Sequence, residues 1–346
     1  MEYDPVLEIT RGDLVESIHY GALAVANSAG EVIASWGSPD VVTYLRSSAK
    51  PFQALPLVES GAAERYRLSA KELAVVCASH SGADNHVEAV VSVQSKTGIR
   101  EDQLQCGIHA PFDPDAAKHL QRSGAQPTAN HNNCSGKHSG MLALARFLGE
   151  SLESYLEPDH AVQQAILAAL SEMSGENRDQ IAVGIDGCSA PNFALSLRGA
   201  ATAFARLVDP SGLAPSRADA CRQITDAMMS NPEMVGGQGR LDTDLMRAAG
   251  GRLLSKGGAE GTQGLALLPG AVRPGSPALG IVIKIADGDL GKRASRLVAV
   301  TVLRQLGALR AENYAALGGE GLRTITNHRG LKVGEARACL TLTNAV

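Results

Sequence analysis

Hydrophobic and polar residues alternate with the two-residue period of a strand over residues 14–26, break at Asn27-Ser28-Ala29-Gly30, and alternate again over 31–36, which predicts a β-hairpin. Toward the other end, the run 279–286 predicts a strand, 290–309 a helix and 322–325 a further strand. Between the two ends the apolar spacing is mostly helical. Ser69-Ala70-Lys71-Glu72 has the form of a capping box, in which serine and glutamate satisfy each other's free backbone N–H groups, and it opens a helix toward Cys77. Further helices are predicted over 85–95, 138–148, 161–173, 193–207 and 218–229. The sequence holds no repeat, low-complexity tract or long linker. The pattern predicts an α/β chain of the α+β type. A mainly antiparallel sheet comes from both chain ends, at about 1–60 and 235–346, and a helical lobe of about 61–234 is inserted between them in a single domain.

Composition narrows the class. A chain of 346 residues with 44% hydrophobic positions has the means to bury a sizeable core. The formal charge of −4 is small, and Lys and Arg are scattered without interleaved aromatics, so no nucleic-acid partner is expected. Met1 leads into Glu2 and Asp4, not into a basic and then apolar stretch, and no run has the length of a membrane span. No membrane partner and a cytoplasmic location are expected. The six cysteines lie far apart in sequence, in a chain large enough not to need staples, so thiols or metal ligands are expected over disulfides.

Two short segments carry candidate chemistry. In Ser47-Ser48-Ala49-Lys50-Pro51-Phe52 a hydroxyl and an amine stand three residues apart at the predicted start of a helix, a spacing that shares one face. A lysine whose charge is disfavoured by burial or by another cation can take the serine proton, and a helix N-terminus can stabilise an oxyanion. A lone Ser-x-x-Lys pair is more often a helix cap beside a solvated lysine. Here it is followed, in order, by Ser79-His80-Ser81-Gly82 and by Ser255-Lys256-Gly257-Gly258 after the strand-like Arg252-Leu253-Leu254. That order is shared with penicillin-recognising acyl enzymes.

The second segment is His131-Asn132-Asn133-Cys134-Ser135-Gly136-Lys137-His138-Ser139-Gly140, which runs into an apolar helix. Cys134 and Lys137 have metal-knuckle spacing, except that a lysine holds the second place, and Cys188 lies in Asp186-Gly187-Cys188-Ser189-Ala190-Pro191. Three readings stand on spacing alone. Two thiolates suit zinc; a buried thiol beside an anion-binding Lys137 suits the rarity of lysine ligands; and Cys134 assisted by His131 or His138 suits a nucleophile.

With these residues laid out, the chain resembles the rhizobial-type L-asparaginase family, the thermolabile asparaginase II enzymes. The resemblance runs from Arg11-Gly12 and Glu16-Ser17-Ile18-His19-Tyr20-Gly21 to the C-terminal strands. Its most specific pieces are Arg46 to Gln53, Cys77 to Gly82, His131 to Met141, Asp186 to Pro191 and Ser255 to Gly258. The resemblance implies a serine β-lactamase-like or penicillin-binding-protein-like fold and hydrolysis of L-asparagine to L-aspartate and ammonia. It implies two catalytic tandems, Ser47 with Lys50 and Ser79 with Lys256, acting through an acyl-enzyme, with the roles of the two serines open to exchange. It also implies one zinc ion at Cys134, Lys137 and Cys188, organising the substrate pocket, and a homodimer.

For such a substrate Arg46 suits the α-carboxylate, because its fork matches two oxygens, and Asp186 suits the α-ammonium. His138 and Asn133 would complete the shell. Glutamine, longer by one methylene, is expected to be a weak substrate. Asp242, His80 and His131 are open between site and scaffold, and Cys77, Cys106, Cys221 and Cys339 read as core or incidental thiols. Two other classes compete: a β-lactamase or penicillin-binding hydrolase with the same serine, and a non-catalytic binder of zinc or amino acids.

Overall fold

A computed structural model of the chain describes residues 2–317, 319 and 321–342. The chain opens with strands β1 (Asp4–Arg11), β2 (Leu14–Asn27), β3 (Val32–Trp36) and β4 (Val42–Tyr44). Seven helices follow: α1 (Lys50–Glu59), α2 (Ala62–Arg65), α3 (Ala70–Val76), α4 (Asp84–Thr97), α5 (Pro114–Ser123), α6 (Ser135–Leu148) and α7 (Ala161–Ser174). Next come β5 (Ala182–Ile185), β6 (Pro191–Ser196), α8 (Leu197–Val208), α9 (Pro215–Ser230), α10 (Pro232–Val235) and α11 (Leu241–Ala249). The chain continues through β7 (Leu253–Gly257), β8 (Thr262–Leu267), β9 (Leu279–Ile285), α12 (Ser295–Gln305), α13 (Ala311–Ala316), β10 (Leu322–Thr326) and β11 (Lys332–Ala338).

The chain divides into two compact units, one of Met1–Ser48, Leu195–Asp209 and Asp244–Val346, the other of Ala49–Ala194 and Pro210–Thr243. The first unit is built on a sheet in the order β10-β11-β1-β2-β9-β8-β7, with β3 also paired to β2. Its strand pairs are antiparallel, and both chain ends supply the sheet, as the periodicity predicts. The predicted hairpin is β2–β3. Asn27 closes its turn by accepting from the backbone N–H groups of Ala29 and Glu31, the local bond that makes asparagine a turn residue. Helix α8 lies on the sheet so closely that a Cβ at Gly280 would stand 1.8 Å from the Ala201 carbonyl oxygen. Only glycine permits that approach.

The second unit is helical. Helix α1 is buried from Lys50 to Val58 and packs on α6, α7 and α9. Helix α3 starts at the predicted capping box, with Ser69 Oγ accepting from Glu72 N and Glu72 accepting from Ser69 N. A Cβ on Gly136 would stand 2.1 Å from the Val75 carbonyl oxygen, so α6 and α3 touch backbone to backbone at that glycine. The hairpin β5–β6 completes the unit, with Gly184 opposite Asn192 and Ile185 opposite Pro191.

Four helix starts differ by three residues or more from those predicted, among them that of the helix expected over 218–229, which begins at Pro215. The helix expected over 193–207 begins at Leu197, because Phe193 and Ala194 pair with Val183 and Ala182, and Ser196 then caps the helix by accepting from Gly199 N. The helix expected over 290–309 begins at Ser295, because the Asp289 carboxylate accepts from the N–H groups of Arg293, Ala294 and Ser295 and fixes the preceding turn. The helix expected over 138–148 begins three residues earlier, which places Lys137 and His138 in its first turn. Among the described residues, no helix is long and apolar enough to cross a membrane.

Candidate active site

In the sheet unit, Arg46 and Ser47 lie on a single 3-10 turn, Arg46–Ala49, that runs directly into α1. Arg46 has φ +51°, a left-handed conformation uncommon for a side-chain-bearing residue and frequent at functional turns. Its guanidinium pairs with Glu260 at 3.7 Å. Lys256 is fully buried and lies on β7 itself, where the sequence places it just after the strand. The chain beyond it comes against the serine turn: a Cβ on Gly258 would stand 2.7 Å from the Leu45 carbonyl oxygen and 3.4 Å from the Arg46 Cβ.

In the helical unit, the amine of Lys50 is buried at the start of α1. It lies 2.5 Å from the Ala78 carbonyl oxygen, 3.1 Å from Ser79 Oγ and 3.1 Å from the Asn133 carbonyl oxygen. Ser79 is fixed by its own N–H, which donates to the Val235 carbonyl oxygen. An ammonium would spend three hydrogens on these three oxygens. A neutral amine would cover the two carbonyls and aim its lone pair at the Ser79 hydroxyl.

Asn133 joins this amine to the second cluster. Its N–H donates to His109 Nε2 at 3.0 Å, and the Cys134 thiol lies 3.4 Å from its side-chain oxygen. The three predicted ligands meet. Lys137 Nζ is 3.0 Å from Cys188 Sγ, and Cys134 and Cys188 share a hydrogen bond. That bond, with the amines of Lys50 and Lys137, outweighs burial and holds the Cys134 thiol well below its ordinary pKa. Lys137 is pushed the other way: burial disfavours its charge, yet the Cys134 and Cys188 sulfurs and Asp186 raise its pKa above the usual value. Ser189, next to Cys188, also has positive φ, at +68°.

A thiolate, a second thiol and an amine converging in a buried place form a donor set that fits zinc, once the two remaining protons are lost. Among the described residues no cluster of three or more His, Cys, Asp or Glu side chains is arranged to hold a metal, and this trio contains only two such residues. His138 packs against Cys188, and burial brings its pKa down to about 4. The Asp186 carboxylate accepts from Gly187 N.

His80 and His131 are held by hydrogen bonds to nearby backbone and side chains. His80 is bound to Ser135 Oγ and accepts from Gly82 N, and His131 Nδ1 accepts from Thr128 N. Asp242 is buried at the start of α11. All six cysteines are free thiols. Burial raises Cys106 to about 11 and Cys221 to about 12, which leaves both unreactive. Two contributors escape the sequence reading: His109, which holds the Asn133 peptide, and Tyr155, whose oxygen lies 2.6 Å from His138 Nδ1. Neither stands in a motif, and nothing local marks them.

Comparison with known proteins gives one decisive match. The model of the family described as L-asparaginase II fits residues 7–338. No curated protein matches the sequence. Among solved structures, a probable glutaminase from Bacillus subtilis complexed with 6-diazo-5-oxo-L-norleucine is similar at 13% identity, over 78% of this chain and 78% of its own, with TM-score 0.37. A Bacillus glutaminase in 4.3 M NaCl is similar at 14% identity, over 78% and 84%, with TM-score 0.35. Likenesses this slight carry no argument about substrate.

Proposed function

This chain belongs to the L-asparaginase II family, which makes it an amidohydrolase, and from that premise we propose that it hydrolyses the side-chain amide of L-asparagine to L-aspartate and ammonia through a serine acyl-enzyme. The observation that supports this mechanism best is the buried Lys50 amine at 3.1 Å from the Ser79 hydroxyl, with two carbonyls to take its other hydrogens.

Ser47 attacks the amide carbon and loses its proton to Lys50. The proton passes to the departing nitrogen, the C–N bond breaks, and ammonia leaves behind a β-aspartyl ester. Water then attacks the ester by the same route, and aspartate departs. A backbone N–H at the turn that carries Ser47 serves the oxyanion. Lys256 is the second amine, the partner of Ser79 in relaying protons. The contact between Lys50 and Ser79 favours a second reading, in which Ser79 attacks and Ser47 relays; labelling with a diazoketone analogue of asparagine and mapping the modified peptide separates the two.

Arg46 takes the α-carboxylate and Asp186 the α-ammonium, with His138 and Asn133 completing the shell. Cys134, Lys137 and Cys188 would hold zinc, whose charge, when bound, steadies the side chains around the substrate. Holding both charged ends of the amino acid fixes the reach to the amide carbon. Asparagine should therefore exceed glutamine in kcat/KM by about tenfold or more, the usual worth of one methylene. Ammonia release from asparagine, glutamine and a penicillin decides the matter. Equal specificity constants for the two amides would refute the substrate assignment, and penicillin hydrolysis without asparagine turnover would move the chain to the β-lactamase class.

A further inference from the structure

Tyr155 lies in the loop between α6 and α7 and is fully buried. Its phenol oxygen has two partners. It accepts from the backbone N–H of Gln105 at 2.9 Å, and it lies 2.6 Å from Nδ1 of His138. The two rings meet edge to face, with centroids 5.7 Å apart and planes at 88°. Burial drives the Tyr155 pKa well above its ordinary value, so the hydroxyl keeps its hydrogen.

One hydrogen and two neighbours leave a single satisfactory arrangement. Gln105 N–H can only donate, so the phenol oxygen accepts there, and the hydroxyl hydrogen must find an acceptor elsewhere. Nδ1 of His138 is the one in reach. Were Nδ1 to carry a hydrogen, in the other tautomer or in the imidazolium, the oxygen would accept twice and the hydroxyl hydrogen would be buried without a partner, which folded proteins avoid. With Nδ1 as acceptor, the hydrogen of the neutral ring sits on Nε2. That atom is buried and makes no hydrogen bond in this structure. Cys188 lies beside the ring.

We propose that Tyr155 is a positioning residue that locks His138 in the Nε2–H tautomer, so that the ring presents a hydrogen-bond donor toward Cys188 and has no lone pair to offer a metal ion. The proposal deepens the amidase reading and rests on it only for its catalytic consequence. A donor at this place favours loss of the Cys188 proton, because a hydrogen bond to the charged sulfur stabilises it. Were zinc bound by Cys134, Lys137 and Cys188, His138 would not be among its ligands.

The test is a long-range proton–nitrogen correlation spectrum of metal-free protein labelled with 15N-histidine, with His138 assigned by its loss in His138→Gln. The parent should show one tautomer, with hydrogen on Nε2 and with the Nδ1 resonance displaced from the free imine position by the hydrogen bond from Tyr155. Tyr155→Phe should move that Nδ1 resonance back by several ppm. Hydrogen on Nδ1 in the parent, or an Nδ1 resonance unmoved in Tyr155→Phe, would overturn the assignment. The parent spectrum decides the tautomer by itself should Tyr155→Phe fail to fold. In the ammonia assay Tyr155→Phe should lose about tenfold or more in kcat/KM, the common effect of removing a group that orients a site residue. The spectra do not require turnover, so absence of asparaginase activity with the expected spectra would defeat the functional reading and leave the tautomer in place.

Discussion

The Lys50 amine and the Ser79 hydroxyl lie 3.1 Å apart, although 29 residues separate them and they are carried by different parts of the helical unit. Two rigid supports hold them there. The Lys50 amine is fastened by the carbonyls of Ala78 and Asn133, and Ser79 is fastened through its backbone to Val235. Catalysis by proton transfer needs such fixed geometry more than it needs any one pKa.

Helices α3, which leads to Ser79, and α6, which carries Lys137, approach backbone to backbone at Gly136. An alanine there would raise intrinsic helix propensity by about 1 kcal/mol, but its Cβ would meet the Val75 carbonyl oxygen at 2.1 Å. Overpacking against backbone wins that comparison. Gly136→Ala should destabilise the protein by about 1–3 kcal/mol in urea titration, whereas a stabilised variant would show that the helices are free to part.

Acid stability should depend on a stacked pair of buried histidines, His80 and His86, with ring centroids 5.2 Å apart. Burial lowers His86 from its ordinary 6.5 to about 4, with Lys71 adding to the effect and Asp113 opposing it. Above pH 6.5 the ring is neutral in both folded and unfolded chains and contributes nothing. As pH falls from 6.5 toward 4, the unfolded chain takes up a proton that the folded ring refuses, so stability falls, by up to about 3 kcal/mol from this residue. His86→Gln, which keeps a donor for the Glu233 carbonyl, should flatten the profile between pH 7 and 4.5; an unchanged slope would assign the acid sensitivity elsewhere.

Removal of metal by a chelator should act chiefly on substrate affinity. If zinc at Cys134, Lys137 and Cys188 organises the pocket while the serines perform acyl transfer, KM should rise about tenfold or more and kcat at saturating asparagine should largely persist. Loss of all turnover at saturation would give the metal a direct part in the chemistry.

What the sequence reveals is what short range determines. The β2–β3 hairpin is legible because alternation and an asparagine turn are local signals, and the α3 start is legible because Ser69 and Glu72 cap each other within one turn. Helix α8 is misread at its start because residues 193–194 are apolar enough for either element, and only pairing with Ala182 and Val183 makes them a strand. The same division holds at the candidate site. Motif spacing marks Ser47, Lys50, Cys134, Lys137 and Cys188, but it pairs Lys50 with Ser47 alone. Ser79 reaches that amine, and Tyr155 reaches His138, through the packing of separate segments, which no local pattern encodes.

The account depends most on Lys50 as the proton carrier of a serine amidase, and initial rates of ammonia release from L-asparagine by the parent and Lys50→Met test it most directly. Methionine fills the space and leaves two carbonyls without a donor, so the variant is compared at a temperature where circular dichroism shows it folded. The predicted result is a fall in kcat of about 100-fold or more, the usual size of a lost general base. A folded Lys50→Met protein that releases ammonia at the parent rate would contradict the mechanism.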